Sequence, residues 1–531
     1  MRRIVLLFSL TVALAVSQNW VLTLDSGSQG DDEPASMVLD DSGGIYVTGK
    51  TERNSYTIVG TVKANRAGEQ EWLTFYDPYP GFSQIGRAIA VDEGSNCFVT
   101  VASKDTEDVL CYATIKYGHD GETLWVARYS DTSRYSDVPY DIALTPTSRC
   151  VVTGYSGKNT ADKDLATISY DSSGNEQWIR KHNGSAGGID YSYTVATDAQ
   201  GFAYVAGYAT EGVRERAIII KYDSLGTQEW LYLHIPRGPY DDCAGLDIAV
   251  EPAGSVNVAG FVGSFHFKLL TMKFNSQGET LWTREYPWGW GVAVAVDSAS
   301  NVYTVGSTDE FGSSYDIVTV KYDSEGNLLW DARYDGPDQM NDWGYDLALD
   351  PDGSVYVCGR SESSARGNEC ILIKYDSLGD TVWTARIPGH ERYGSVFNAV
   401  EVDNGGNIIV AGCICSEGTG KDYIIAKYPP SGPGVEEPRK PMLVTRHAIA
   451  VVPSVVCNHC VFTVMKPNEL SDLRILDISG RTVRELVLPP GETSMTWNVT
   501  DELGRLVPNG VYFAVLESPD SRATAKFLIQ R

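Results

Sequence analysis

Eight glycines recur along this chain at near-constant intervals: Gly68, Gly121, Gly174, Gly226, Gly278, Gly326, Gly379 and Gly432. Four residues after each of the first seven stands a tryptophan: Trp72, Trp125, Trp178, Trp230, Trp282, Trp330 and Trp383. The eighth glycine is followed at that distance by Glu436, and at the other end Trp20 has no glycine before it. Counted from Trp20, successive tryptophans lie 48 to 53 residues apart. Fixed periods of this size belong to solenoids or propellers. Each unit holds four strand-like runs, as in DLALD, VYVCG, CILIKYD and TVWTARI of the seventh, and this selects the propeller. An array one strand short at its end and one strand over at its start describes a closed ring. The expected fold is therefore all-β: an eight-bladed β-propeller closed by the N-terminal strand. A different rhythm after residue 441 adds a small Ig-like β-sandwich.

The turns support this reading. The first turn of a unit carries an acid at Asp40, Asp92, Asp198, Glu251, Asp297, Asp350 and Asp403, with Thr145 departing, and Gly or Ser follows three residues later. An Asp side chain caps its own turn and Gly permits positive φ, so these acids read as hairpin turns rather than calcium ligands. The first strands carry Ala at 90, 143, 196, 249, 295 and 348. Strands covered by blades on both sides are expected to be apolar on both faces, with small residues near the axis. A Lys precedes an aromatic residue at the end of most third strands, its stem packed and its head paired or in water. The tryptophans, Trp20 included, are expected to be structural.

At 531 residues and a formal net charge of −26, the chain lacks the basic footprint that nucleic acid or an anionic membrane requires. Arg2, Arg3 and the apolar run from Ile4 to Val16, closed by Ala15 and Ser17, read as a signal peptide over 1–17. No segment reads as a stable membrane span. The remaining divisions are a propeller over 18–429, a Pro/Gly-rich linker over 430–441 and the sandwich over 442–531. In an exported chain cysteines can pair. Cys97 with Cys111 and Cys358 with Cys370 fall on neighbouring strands, whereas Cys413 and Cys415 share a face too far apart to bond easily. Cys457-Asn-His-Cys460 is half a zinc motif without its other half, so neither metal nor cofactor is expected.

Motifs such as KYDSEGNLLW (321–330) and LDPDGSVYVCG (349–359) resemble the SBBP β-propeller repeat of exported bacterial proteins, in eight copies over 19–429. The resemblance implies architecture and little about ligand. In the tail, DISG (Asp477 to Gly480), Gly491, Trp497, Gly504, Asn509-Gly510-Val511-Tyr512 and Lys526 resemble the C-terminal sorting domain of type IX secretion cargo and the related Ig-like module of the flagellar hook-capping protein. That likeness implies delivery to the bacterial cell surface or exterior, with the secretion machinery as partner of 442–531.

Enzyme motifs are sparse. There is no HExxH, no G-x-S-x-G and no Rossmann fingerprint, and the seven histidines are scattered. A quinoprotein-like dehydrogenase has a similar Asp…Gly…Trp rhythm, but none of the turn-to-tryptophan segments here carries that family's Thr-Gly-Lys, and the chain has no Cys-Cys. A polysaccharide lyase or glycosidase needs paired acids or a Tyr/His base, and nothing singles out a pair. Two or more ionisable groups converging in a pocket at the axis would distinguish an enzyme from a binding scaffold. Short regular turns fall on one face of the ring and long irregular loops on the other, where binding resides in such frames. On that side the aromatic residues Tyr140, Tyr191, Tyr240, Trp288, Trp290, Trp343, Tyr345 and Tyr393 are the candidate contacts for a protein or glycan ligand.

Overall fold

The structure, a computed structural model, describes residues 20–433 apart from 25–29, 54, 132–134, 160, 186, 239, 265, 309–313, 390–393 and 417–419. In the tail it describes 450–452, 455–456, 460–463, 471–477, 481–488, 494–501, 503–518 and 521–529. The expected signal peptide, most of the linker, Tyr393 and Cys457 lie outside the described residues.

Eight four-stranded antiparallel sheets make the ring. Blades 1 to 7 occupy residues 32–76, 84–129, 137–182, 191–233, 242–286, 290–334 and 342–387, each running from an inner first strand to an outer fourth. Blade 8 takes three strands from 396–428 and its outer strand from Trp20–Leu24, which pairs antiparallel with Gly420–Tyr428 in the register Trp20 to Lys427. Further bonds tie the two ends of the ring. The Asn398 side chain donates to the Pro34 carbonyl at 2.8 Å, Lys421 pairs with Glu33 at 2.6 Å, and the Tyr423 hydroxyl donates to the Lys50 carbonyl at 3.3 Å. Closure removes an open sheet edge.

The glycine and tryptophan columns turn out to be one device. Each tryptophan lies under the third-to-fourth-strand turn of the following blade, and its Nε1 donates to a carbonyl there: Trp72 to His119 at 2.9 Å, Trp178 to Ser224 at 3.3 Å, Trp282 to Ser324 at 2.9 Å, Trp330 to Ser377 at 3.1 Å. The column glycine of that turn has a positive φ, +79° at Gly326, and a β-carbon there would sit 2.7 Å from the Trp282 ring. Glycine is thus required twice, by backbone conformation and by the indole beneath it. Trp20 meets Gly68 in the same way across the closure, and Trp383 meets Gly432 although no strand of blade 8 follows that turn. Trp178, Trp282, Trp330 and Trp383 are buried, and the other four are partly buried.

In the first turns the acid behaves as an Asx cap. One oxygen of Asp350, for example, accepts the amides of Asp352 and Ser354 at 3.0 and 2.9 Å, and Asp40, Asp92, Asp198, Asp297 and Asp403 repeat this. Several lysines of the third-strand column pair with acids, as Lys273 with Glu251 at 2.8 Å and Lys427 with Asp403 at 2.8 Å. Cys97, Cys111, Cys358 and Cys370, on neighbouring strands, are all buried free thiols. Cys97 lies opposite Tyr117 while Cys111 lies opposite Ser103, far out of register. Cys358 lies opposite Leu372 and Cys370 opposite Arg360, a diagonal relation of about 7–8 Å that is too long to bridge.

The tail forms a three-stranded and a five-stranded sheet. Phe462, Leu473, Ile475, Trp497, Tyr512 and Ile529 share a core of their own. Among the described residues no helix is long and apolar enough to cross a membrane.

Candidate ligand-binding face

Every inner strand carries a β-bulge two to four residues from its start. A bulge takes one residue out of the ladder and re-aims its side chain. The bulged positions are Ala35, Arg87, Tyr140, Tyr193, Leu246, Val292, Tyr345 and Asn398, at the irregular-loop end of the strands. Neighbouring blades bring them together: the Arg87 guanidinium lies 5.5 Å above the Tyr140 ring, and Tyr140 packs edge-on to Tyr193 at 5.5 Å.

Around them stands a first aromatic platform, on blades 2 to 4. Tyr155 and Tyr191 stack at 4.6 Å, Tyr208 closes on Tyr191 at 5.4 Å, and Tyr140 is 6.0 Å from Tyr191. Lys163 lies 4.5 Å above the Tyr155 ring and donates to the Tyr191 hydroxyl at 2.7 Å. A second platform stands on blades 5 to 7. Tyr315 and Trp343 pack at 4.3 Å, Trp290 lies 5.7 Å from Trp343, Phe267 abuts Trp290 at 6.0 Å, and Arg360 lies 5.4 Å above Trp343.

The candidates named from sequence therefore divide. Tyr140 and Tyr191 join the first platform, and Trp290 and Trp343 the second. Trp288 sits beside the second platform against His266 at 4.8 Å, in a left-handed conformation of φ +61°. Tyr345 is the bulged residue of blade 7. Tyr240 stands apart, 67% exposed, with Arg214 5.4 Å above its ring. Tyr155, Tyr208, Tyr315, Phe267 and the three cations Arg87, Lys163 and Arg360 were not singled out from sequence. Tyr155 and Tyr208 lie inside apolar strands and are buried, so the sequence reads them as core.

Below the bulges the inner strands depart from the expected apolar pattern. Asp141, Asp247 and Asp346 occupy equivalent positions in blades 3, 5 and 7, and Glu401 of blade 8 stands in the alanine column. These carboxyls keep partial exposure at the axis while protein encloses them. Each Asp bridges two blades. Asp141 accepts the amides of Ile142 and Val195, both at 2.8 Å; Asp247 those of Ile248 and Val294 at 2.8 and 2.7 Å; Asp346 those of Leu347 and Val400 at 2.8 and 2.9 Å. These amides lie on the axial edges of the inner strands, so the carboxylates cap edges that no strand covers. Ionisable groups do converge at the axis, and both oxygens of each Asp are already engaged with backbone.

Burial pushes these carboxyls up, Asp141 to about 6, Asp247 and Glu401 to about 7 and Asp346 to about 8; nearby acids add to this, Asp141 for Asp247 and Glu401 for Asp346. A raised native value means the folded ring holds protons that the unfolded chain has released. The stability they contribute is complete below about pH 4 and lost as pH rises through roughly 6 to 8. At Asp403 burial acts upward but is outweighed by bonds from Lys427 and Asn407, and the carboxyl falls to about 2. Its contribution is lost only in strong acid. The thermal midpoint is therefore expected to peak near about pH 5 and fall toward about pH 8, with Asp346→Asn flattening the alkaline limb. A midpoint that climbs steadily to pH 8 would contradict this.

No phosphate-binding loop is expected from the enzyme motifs, yet Gly44 to Thr51 has its GxxxxGKT spacing. Its context denies that role: Ile45–Arg53 is an extended strand followed by another strand, and Lys50 is paired with Glu33 at 3.1 Å.

Among solved structures, Sqt1 from Chaetomium thermophilum, bound to the N-terminus of the ribosomal protein L10, is similar over 76% of this chain and 98% of its own, at 10% identity and a TM-score of 0.50. The chain shares that protein's fold. The polysaccharide lyase Uly1 is similar over 76% of this chain and 90% of its own, at 10% identity and a TM-score of 0.40. No protein-family model matches the chain, and no curated protein matches it.

Proposed function

We propose that this protein is an exported binding propeller whose ligand, a glycan or a protein, docks on the irregular-loop face. The observation that carries the reading is the pair of aromatic platforms on one face, each with a cation over its rings. The partly exposed Tyr140, Tyr191, Trp290 and Trp343, with Tyr155 and Tyr208 buried behind them, offer flat, rigid surfaces to sugar rings or side chains, and such residues dominate recognition sites. The SBBP-like repeats and the sorting-domain-like tail support export, with residues 442–531 engaging the secretion machinery. That Sqt1 uses this fold to hold a peptide is consistent with a protein ligand. A second reading is action on a polysaccharide. It is favoured by the hydrogen bond from Lys163 to Tyr191, which places a phenol that could exchange a proton beside a cation that could hold an acidic sugar.

One experiment tests the proposal. The chain is recovered from outside its native host and sequenced from its N-terminus, then applied to glycan and protein arrays. It is expected to begin at or near Gln18 and to bind a defined ligand class. The triple substitution Trp288→Ala, Trp290→Ala and Trp343→Ala should weaken that binding by about tenfold or more, a loss typical of interface aromatics. Ser324→Ala and Ser377→Ala, on the tight-turn face, should leave it unchanged. An intact Met1 on the recovered chain would remove export, and binding indifferent to the aromatic substitutions would remove the docking face. Shortened glycan chains after incubation would favour the enzyme reading.

A further inference from the structure

Three carboxyl groups meet where blade 6 abuts blade 7 on the irregular-loop face. Asp316 opens the third strand of blade 6 (Asp316–Tyr322), Asp335 follows its outer strand (Leu328–Tyr334), and Asp342 opens the inner strand of blade 7 (Asp342–Leu349). One oxygen of each lies within 4.8 Å of the other two. Asp335 is at the surface, whereas Asp342 is 0% exposed. Its Oδ2 accepts the Gly336 amide at 2.7 Å, whereas its Oδ1 is buried and reached by no amide, the Ser361 hydroxyl of the paired strand being the polar group beside this carboxyl.

The equivalent residues of other blades show what Oδ1 lacks. Asp137 has one oxygen capped by the Asp131 amide at 2.8 Å and the other by the Gly157 amide at 3.2 Å. Asp190 likewise takes the Gly184 and Thr210 amides at 2.7 and 2.6 Å. The Gly157 amide is shared between Asp137 and the Ser136 carbonyl at 3.1 Å, whereas for the corresponding amide of blade 7, that of Glu362, the acceptor is the Asn341 carbonyl at 2.9 Å. A buried carboxylate oxygen that no amide reaches is costly. Arg333 pairs with Asp316 at 2.7 Å, and three carboxylates this close repel one another unless a cation or a proton is shared among them.

We infer that Asp316, Asp335 and Asp342 form a calcium site. An all-carboxylate set suits a hard cation. Ligands delivered by three separate segments, one of them at the surface, suit the irregular, partly hydrated coordination of calcium better than the strict octahedron of magnesium. Three carboxylates with water completing the shell place the site in the weak class, with Kd of about 10⁻⁴–10⁻³ M. The ion would clasp blade 6 to blade 7. Tyr315 and Trp343, neighbours in sequence of two of the ligands, would be held beneath it in the second aromatic platform. The site stands independently of what that platform binds.

The test uses the full chain, dialysed against EDTA and then held at pH 8. Terbium is titrated with emission excited through tryptophan, and calcium chloride is added as competitor. Saturable emission displaced by calcium, with a rise in thermal midpoint on adding calcium, is expected. Asp335→Asn, at the surface, should weaken calcium by about tenfold, since affinity follows ligand charge count. Asp342→Asn should abolish sensitised emission. Asp352→Asn, on an exposed tight turn, controls for unspecific uptake by an acidic chain and should change nothing. Absence of saturable binding would overturn the assignment, as would binding unaltered by Asp335→Asn. A thermal midpoint that Asp342→Asn raises while calcium leaves it unmoved would also overturn it, because the carboxyls would then be sharing a proton.

Discussion

Replacing Trp178 with alanine is expected to lower the unfolding free energy of the ring by about 3–5 kcal/mol, the penalty for truncating a buried aromatic side chain. Trp178 is 6% exposed and packs with Val195, Val205, Ile218 and Tyr222 of the next blade. Its Nε1 donates to Ser224, and Gly226 rests against its ring. The change leaves a cavity between two blades and strands a turn that was shaped to the indole. Chemical denaturation of wild type and variant measures it. Gly226→Ala should destabilise through the opposite fault, because a β-carbon would meet the Trp178 ring at 2.6 Å on a residue of φ +77°. An unchanged denaturation midpoint for Trp178→Ala would mean that the tryptophan column does not hold the blades together.

Removing the strand Trp20–Leu24 should do still more damage. Trp20, Leu22 and Leu24 pack against Met37, Ile45 and Ile425, so their loss forfeits on the order of 5 kcal/mol of apolar burial. It also bares the edge of Gly420–Tyr428, a strand with Ile424 and Ile425 buried at its centre, and such an edge invites pairing with other chains. The expected result is a lower thermal midpoint together with concentration-dependent association. Removal of 442–531 should leave the ring's own transition in place, because the tail core is built from tail residues. A monomeric ring of undiminished stability without residues 20–24 would show that closure is not what holds it.

The architecture was legible because one physical requirement repeats eight times. A positive-φ turn resting on an indole admits only glycine, so every blade writes the same two letters at nearly the same distance. The offset between Trp20 and Gly432 made the closure readable as well. The axial carboxylates were not legible. A period-two pattern assigns Asp141 and Asp346 to a covered face, and only the bulge beside each, at Tyr140 and Tyr345, turns them to the axis. Tyr155 and Tyr208 lie inside apolar strands and are buried core, and they back a platform only because neighbouring blades bring Tyr191 and Tyr140 against them. The Asp316, Asp335 and Asp342 cluster draws on three separate segments of two blades, whereas a sequence search for calcium looks for acids spaced along one loop.

The central claim is that the irregular-loop face is where this propeller binds. Amide hydrogen exchange of the full chain, with and without the strongest ligand found on the arrays, measures this directly. Slowed exchange is expected around residues 137–140, 190–193, 290–292 and 342–345, at the bulges and platforms, with the tight turns at 40–44 and 323–327 unchanged. Protection confined to those tight turns, or to the tail, would contradict it.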